Sequence, residues 1–343
     1  MGLLTRLMEQ FQTLSIIGMA KNSGKTTTLN FLIEEAMDEG IVLGLTSTGR
    51  DGESMDLVTG TEKPRIFVEV GTIVTVPVKL YELADAGLEI LSLTRYTSPL
   101  GQLLLCRVAE SGYVQISGPM NTRDHQRLVS EMRSLGAQLV LIDGAIDRKS
   151  IAAPRISDGI ILATGAVLSR SMKKVVEETM HVVELYSLPV LEDAALRTWL
   201  IRREEENRIL LGGREGEPKA LDLATGLNAS RVLDDLLDET VSWIYLPGAL
   251  TRTVVGDVHP SKLPNVTFLL KDPTRIFLDP MTWQQLKRKG FRVRVLANIQ
   301  VAAIAVNPVA PTGYSFDHEE LLAAMQKAAG NIPVIDVRMG GLA

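Results

Sequence analysis

The 343 residues are enough for a large core and suggest about two domains. A hydrophobic content of 45% with 22% charged residues describes a folded globular protein and excludes a disordered one. A net charge of −5 creates no long-range field that would draw nucleic acid.

The first residues, MGLLTRLMEQFQ, carry Glu9 and lack the apolar core of a signal peptide, and no uncharged apolar run is long enough to span a bilayer. The single cysteine, Cys106, can form no internal disulfide, which fits a reducing compartment. Within GQLLLCRV it reads as a small buried hydrophobe. His125, His181, His259 and His318 are scattered, with no metal-ligand spacing. The expectation is a cytoplasmic protein that engages neither nucleic acid nor membrane.

In chain order, LSIIGM (14–19) predicts a buried strand followed by a glycine-containing turn. TTTLNFLIEEAMDEG then sets Leu29, Leu32, Ile33 and Met37 at helical spacing, with Gly40 as the stop. IVLGLTS is a second strand, and strand, helix, strand in this order implies a parallel sheet. Residues 65–117 alternate in short runs and predict an antiparallel elaboration with one helix near 77–86. RDHQRLVSEMRSLG is a helix with Leu128, Met132 and Leu135 on one face. AQLVLIDGA and DGIILATGA are strands, and SRSMKKVVEETMHVVELY is a long helix.

A break falls near Leu188-Pro189, and the charged WLIRREEENRILLGGREGEPK reads as a linker or an exposed hairpin. SWIYLPGA, VTFLLKDP, FRVRVLAN, VAAIAVNP and PVIDVR follow as strands, some separated by helices at 229–238, 280–288 and 317–329. In the most basic stretch, LKRKGFRVRVL, Arg292 and Arg294 alternate with Val293 and Val295, the pattern of a strand with one solvated face.

The stretch between the first strand and the first long helix, GMAKNSGKTTT (18–28), is the one with an evident chemical purpose. The first amides of a helix lack internal partners and the helix dipole favours an anion, so this is where a phosphate would sit. Gly24 lets the backbone approach, Lys25 would reach the β- and γ-phosphates, and the Thr26 hydroxyl would hold Mg2+. Lys21, Asn22, Ser23 and Thr27 complete the candidate binding loop. The common motif G-x-x-x-x-G-K-[ST] is lengthened: one extra residue separates Gly18 from Gly24, and Met19 replaces the expected glycine.

A Mg2+-nucleotide site also needs a carboxylate at the end of a neighbouring strand. Asp143, after the apolar LVLI, supplies one, and Asp147 and Arg148 lie in the loop beyond. In TSTGRDGESMD, Asp51 or Glu53 would hold the metal shell or orient a water and Arg50 would neutralise phosphate charge, although a solvated turn explains the same residues. Gly165 and Ser169 suit a ligand loop or a plain helix cap equally. Asn307 in AVNPVAP would read a base edge or merely open an Asn-Pro turn. Lys25, Asp51 and Asp143 are thus the candidate catalytic residues, and Thr26, Asp143 and Glu53 the candidate metal ligands.

GMAKNSGKTT resembles the longer phosphate loops of the SIMIBI class of P-loop NTPases, which includes dethiobiotin synthetase and the molybdopterin-guanine-dinucleotide adaptor protein. The adaptor's K-x-S-G-K-T-T pattern is close to Lys21–Thr27. The resemblance implies a parallel-sheet P-loop NTPase domain over 1–188; with the strands and helices read after the break as a second α/β unit over 189–343, the expected fold is α/β.

The order of SGKTT, TSTGRDGE, LIDGAIDR, ILATGAVLSRSMKKVVEET and AVNPVAPTGYSFD is also similar to the reactivase subunit encoded beside adenosylcobalamin-dependent lysine 5,6-aminomutase. That likeness implies a chaperone-like ATPase that acts on a B12-dependent aminomutase with a co-encoded second subunit, and it leaves room for a homodimer. The alternatives are an ATP-dependent ligase resembling dethiobiotin synthetase, or a nucleotide-gated adaptor. No N/T-K-x-D tetrapeptide of a GTPase is present, so ATP with Mg2+ is the expected nucleotide.

Overall fold

The structure is a computed structural model that describes residues 2–48, 65–144, 156–213, 218–221, 229–256, 258–339 and 341–342. α1 (Leu3–Met8) leads into β1 (Thr13–Gly18), buried along its whole length. α2 (Lys25–Glu39) stops at Gly40, and β2 (Leu43–Ser47) follows. Next come β3 (Ile66–Val68), β4 (Ile73–Pro77), the single turn α3 (Val78–Tyr81), β5 (Gly87–Ser98), β6 (Gly101–Glu110) and β7 (Gly112–Val114). α4 (Thr122–Ser134) starts at Asn121, whose side chain accepts the Asp124 N–H, and precedes β8 (Leu139–Asp143). β9 (Gly159–Gly165) and α5 (Met172–Tyr186) come after it.

The chain then builds a second compact unit, Met180–Ile299, before returning to the first, which comprises Met1–Thr179 and Gln300–Ala343. In the second unit lie α6 (Ala194–Arg202), β10 (Ile209–Gly212), β11 (Lys219–Leu221), α7 (Ala229–Leu236) and β12 (Trp243–Leu246). β13 (Leu250–Thr251), α8 (Arg252–Gly256), β14 (Thr267–Leu270), β15 (Ile276–Phe277), α9 (Pro280–Arg288) and β16 (Arg292–Val295) complete it. Its five-stranded sheet has the order β11-β10-β12-β14-β16, with β12, β14 and β16 parallel. Val293 and Val295 are buried while Arg292 is exposed, as the alternation predicts.

β17 (Val301–Asn307), α10 (His318–Ala329), β18 (Val334–Asp336) and β19 (Gly341–Leu342) belong to the first unit. Its ten-stranded sheet has the order β19-β18-β17-β9-β1-β8-β2-β4-β6-β5. Every neighbouring pair from β18 through to β4 is parallel, with antiparallel strands at both edges. The fold is therefore α/β with a large, mostly parallel central sheet.

Alternate residues of β8 serve opposite faces. Leu139 and Leu141 pack with Leu29, Leu32 and Ile33 of α2 and with α1, while Val140 and Ile142 pack with Leu128, Val129 and Met132 of α4. Each such fully buried Leu or Ile stabilises the fold by roughly 1.5–3 kcal/mol.

Two expectations differ from the structure. The division at 188/189 assigned VAAIAVNP and PVIDVR to a second unit, whereas β17 and β18 join the first sheet through β9. Chain order hides this because the second unit is inserted ahead of them. The helix near 77–86 shrinks to α3, because the N–H groups of Asp85 and Ala86 donate to the Tyr113 carbonyl and leave the helical pattern.

Among the described residues no helix is long and apolar enough to cross a membrane.

Candidate functional site at the carboxyl edge of the sheet

β1 has β8 on one side and β9 on the other. From β1 the chain first runs to β2, beyond β8, and later continues through β9 to β17 on the opposite side. The sheet therefore reverses direction at β1, and the crevice beyond the carboxyl ends at such a point is where open α/β sheets receive ligands. Gly18, Asp143, Ser47, Gly165 and Asn307 are the last residues of the parallel strands β1, β8, β2, β9 and β17, so they share that edge.

The loop after β1 has a specific shape. The Met19 N–H donates to the Ala163 carbonyl (2.9 Å), which ties the start of the loop to β9. Asn22 and Gly24 both have positive φ, 64° and 99°. Asparagine tolerates the left-handed region better than most side chains do, and glycine pays no Cβ penalty there. Gly24 opens α2 without a side-chain cap, and no acidic residue occupies the first turn. Helix starts ordinarily have one or the other, so among the described residues neither device meets the positive end of α2.

Ser23 is 1% exposed, and among the described residues its Oγ has no hydrogen-bond partner. A buried hydroxyl left in that state costs about 1–3 kcal/mol. The same oxygen explains Gly18: a Cβ at that position would lie 2.4 Å from Ser23 Oγ.

Lys25 is half-buried and its Nζ donates to the Gly144 carbonyl (2.5 Å), on the residue after Asp143. Asp143 is half-buried. It stands level with Ile16 of β1 and Ser47 of β2, and its carbonyl accepts the Thr48 N–H (3.1 Å). The structure thus brings Lys25 to the end of the strand that carries Asp143. Thr26 and Thr27 are half-buried in the first turn of α2, while Thr28 turns inward, its Oγ1 donating to the Gly24 carbonyl. Lys21 and Asn22 are exposed on the loop.

Arg50, Asp51, Glu53, Asp147 and Arg148 lie outside the described residues. Ser169 is engaged in its own turn, where its Oγ accepts the Ser171 N–H (3.1 Å), and Ser171 Oγ accepts from Lys174 at the start of α5. Asn307 is buried, and its Oδ1 accepts the Val309 N–H (3.2 Å). Sequence reasoning named Asn307 but not its neighbour, which is Gly24, and it missed Gly144 as the acceptor for Lys25. The Asp-Gly pair at the end of LVLI was the one available signal for the latter.

Among the described residues no group of three or more His, Cys, Asp or Glu is placed to hold a metal ion. In comparisons with known proteins, no family model matches the sequence and no curated protein matches it, so the chemistry of the site is argued from its residues and their geometry.

Proposed function

We propose that the chain binds ATP with Mg2+ at the loop 18–27 and hydrolyses it to change the state of a partner protein. The observation that carries this reading is the uncapped start of α2 beside the orphaned Ser23 hydroxyl, with Lys25 held at the end of the Asp143 strand. The uncapped helix start and the buried hydroxyl cost stability in a protein without an anion there, and all three features suit one that binds phosphate.

In this reading the amides of Lys25, Thr26 and Thr27 and the Ser23 hydroxyl would donate to phosphate oxygens, and Lys25 would exchange its Gly144 carbonyl for them. Thr26 and Asp143 would hold the metal, Thr26 directly and Asp143 directly or through water. Bound Mg2+ supplies neutralisation of charge on the β- and γ-phosphate oxygens. Following the resemblance, the partner would be an adenosylcobalamin-dependent aminomutase, with a co-encoded second subunit completing the assembly.

The test is thermal unfolding with ATP-Mg at a hundred times its dissociation constant. Wild type should gain about 2.7 kcal/mol by linkage. Lys25→Ala should gain almost nothing, and Asp143→Asn should keep most of the gain while losing turnover, because the phosphates retain Lys25 and the loop amides. Equal stabilisation of wild type and Lys25→Ala would remove the site from consideration. Rapid turnover with a small carboxylated substrate, and none stimulated by a protein, would favour a ligase.

A further inference from the structure

We propose that Asn307 is a positioning residue for the loop, holding Gly24 and with it the first amides of α2, rather than a reader of a nucleobase edge. The identity of the ligand rests on the nucleotide reading above, whereas the packing on which the argument stands does not.

The α-carbon of Gly24 faces Asn307. A Cβ on Gly24 would lie 3.0 Å from Asn307 Cβ and 3.3 Å from its Nδ2. The Gly24 carbonyl accepts both the N–H (2.8 Å) and the Oγ1–H (2.9 Å) of Thr28, so the orientation of that one peptide sets the first turn of α2. Since φ at Gly24 is 99°, the turn has no side chain of its own to stiffen it, and glycine is the residue with the most backbone freedom to lose. Something outside the loop has to restrict it.

Asn307 is restricted on its other sides. It is 5% exposed, its Oδ1 accepts from Val309, and its carbonyl accepts the Ala166 N–H (2.9 Å). Gly165 is pressed so closely on that carbonyl that a Cβ there would be 1.9 Å from the oxygen. An asparagine that reads adenine uses its carbonyl oxygen and its amide together. Here the oxygen is already taken by the chain's own turn and the side chain is flanked by Gly24, so the group has the surroundings of a wedge.

The experiment compares wild type, Asn307→Ala and Asn307→Asp in two measurements. The first is ligand-free exchange of the Thr28 amide, whose N–H donates to the Gly24 carbonyl, with the β8 amides as the control for an intact fold. Asn307→Ala should exchange about tenfold faster at Thr28, the equivalent of about 1.4 kcal/mol, while Asn307→Asp, which keeps the shape, stays near wild type. Unchanged exchange in Asn307→Ala overturns the proposal. Should the alanine variant lose its fold, Asn307→Ser carries the same comparison.

The second measurement is binding of ATP-Mg against inorganic tripolyphosphate-Mg. Asn307→Ala should weaken both by the same factor, about tenfold. A loss for ATP alone identifies a base reader and overturns the proposal. Wild type binding neither ligand refutes the nucleotide reading, and the exchange measurement then decides the positioning role by itself.

Discussion

His125 sits on the first turn of α4, 3% exposed, and its Nδ1 has no partner among the described residues. Burial disfavours its protonated form and holds the pKa down at about 4, against 6.5 in an unfolded chain; a hydrogen bond to the Pro119 carbonyl and the nearby Asp124 oppose this only in part. Between those two values the unfolded state binds the proton and the folded state does not. Stability should therefore fall as pH drops from 6.5 towards 4, by on the order of 3 kcal/mol from this group. Denaturant titrations across that range should show a steeper decline for wild type than for His125→Gln, and parallel curves would mean that the imidazole is hydrated. Nothing in RDHQRLVSEM distinguishes His125 from a solvated helix residue, because its burial comes from tertiary packing. At the loop, by contrast, Ser23, Gly24, Lys25 and Thr26 are legible as a group because helix-start chemistry is local in sequence. The partner of Gly24 is not legible, since Asn307 reaches it only after the chain has built another unit.

Elements were readable wherever their signals lay within one or two turns. α9 and α10 begin at Asp279 and Asp317, whose side chains accept from Thr282 and Glu320, and both helices fall where the sequence predicts them. α3 failed because β7 pulls its last residues away. β10 pairs antiparallel with β11, in keeping with the hairpin reading of that charged stretch, but it is buried rather than exposed, which the charge run before ILLG masks. A further tie between elements was invisible in the sequence. His318, the first residue of α10, lies 2.8 Å from the carboxylate of Asp336, the last of β18, through its Nδ1. The other Asp336 oxygen accepts the N–H groups of Arg338 and Met339. Asp336 is 1% exposed, so losing one donor leaves a buried oxygen unsatisfied, at a cost of about 1–3 kcal/mol. His318→Ala should lower the denaturation free energy by that amount, with Asp336→Asn milder because its amide keeps an oxygen for the turn. A neutral His318→Ala would show that water replaces the imidazole.

At the scale of the molecule, β9 is paired on one side by β1 and on the other by β17, and both β9 and β17 are buried at every position. A chain cut at the apparent break, residues 1–188, therefore keeps an apolar interior strand with an open edge, which invites association between chains. Such a fragment should aggregate or melt without cooperativity, and it should not respond to ATP-Mg; size-exclusion chromatography and thermal melting against the full chain would show it. A soluble, cooperatively melting fragment would mean that β17 and β18 are dispensable. The same arrangement orders events in time. Contacts between residues far apart in sequence form late, and the β9–β17 pairing spans the whole inserted unit. During synthesis the inserted unit leaves the ribosome before β17 exists, so the edge of β9 waits uncovered through that interval, and the nascent protein is most exposed to mispairing then. Gly24 meets Asn307 only when the final segment arrives, so ligand binding at the loop becomes available as one of the last properties of the finished chain.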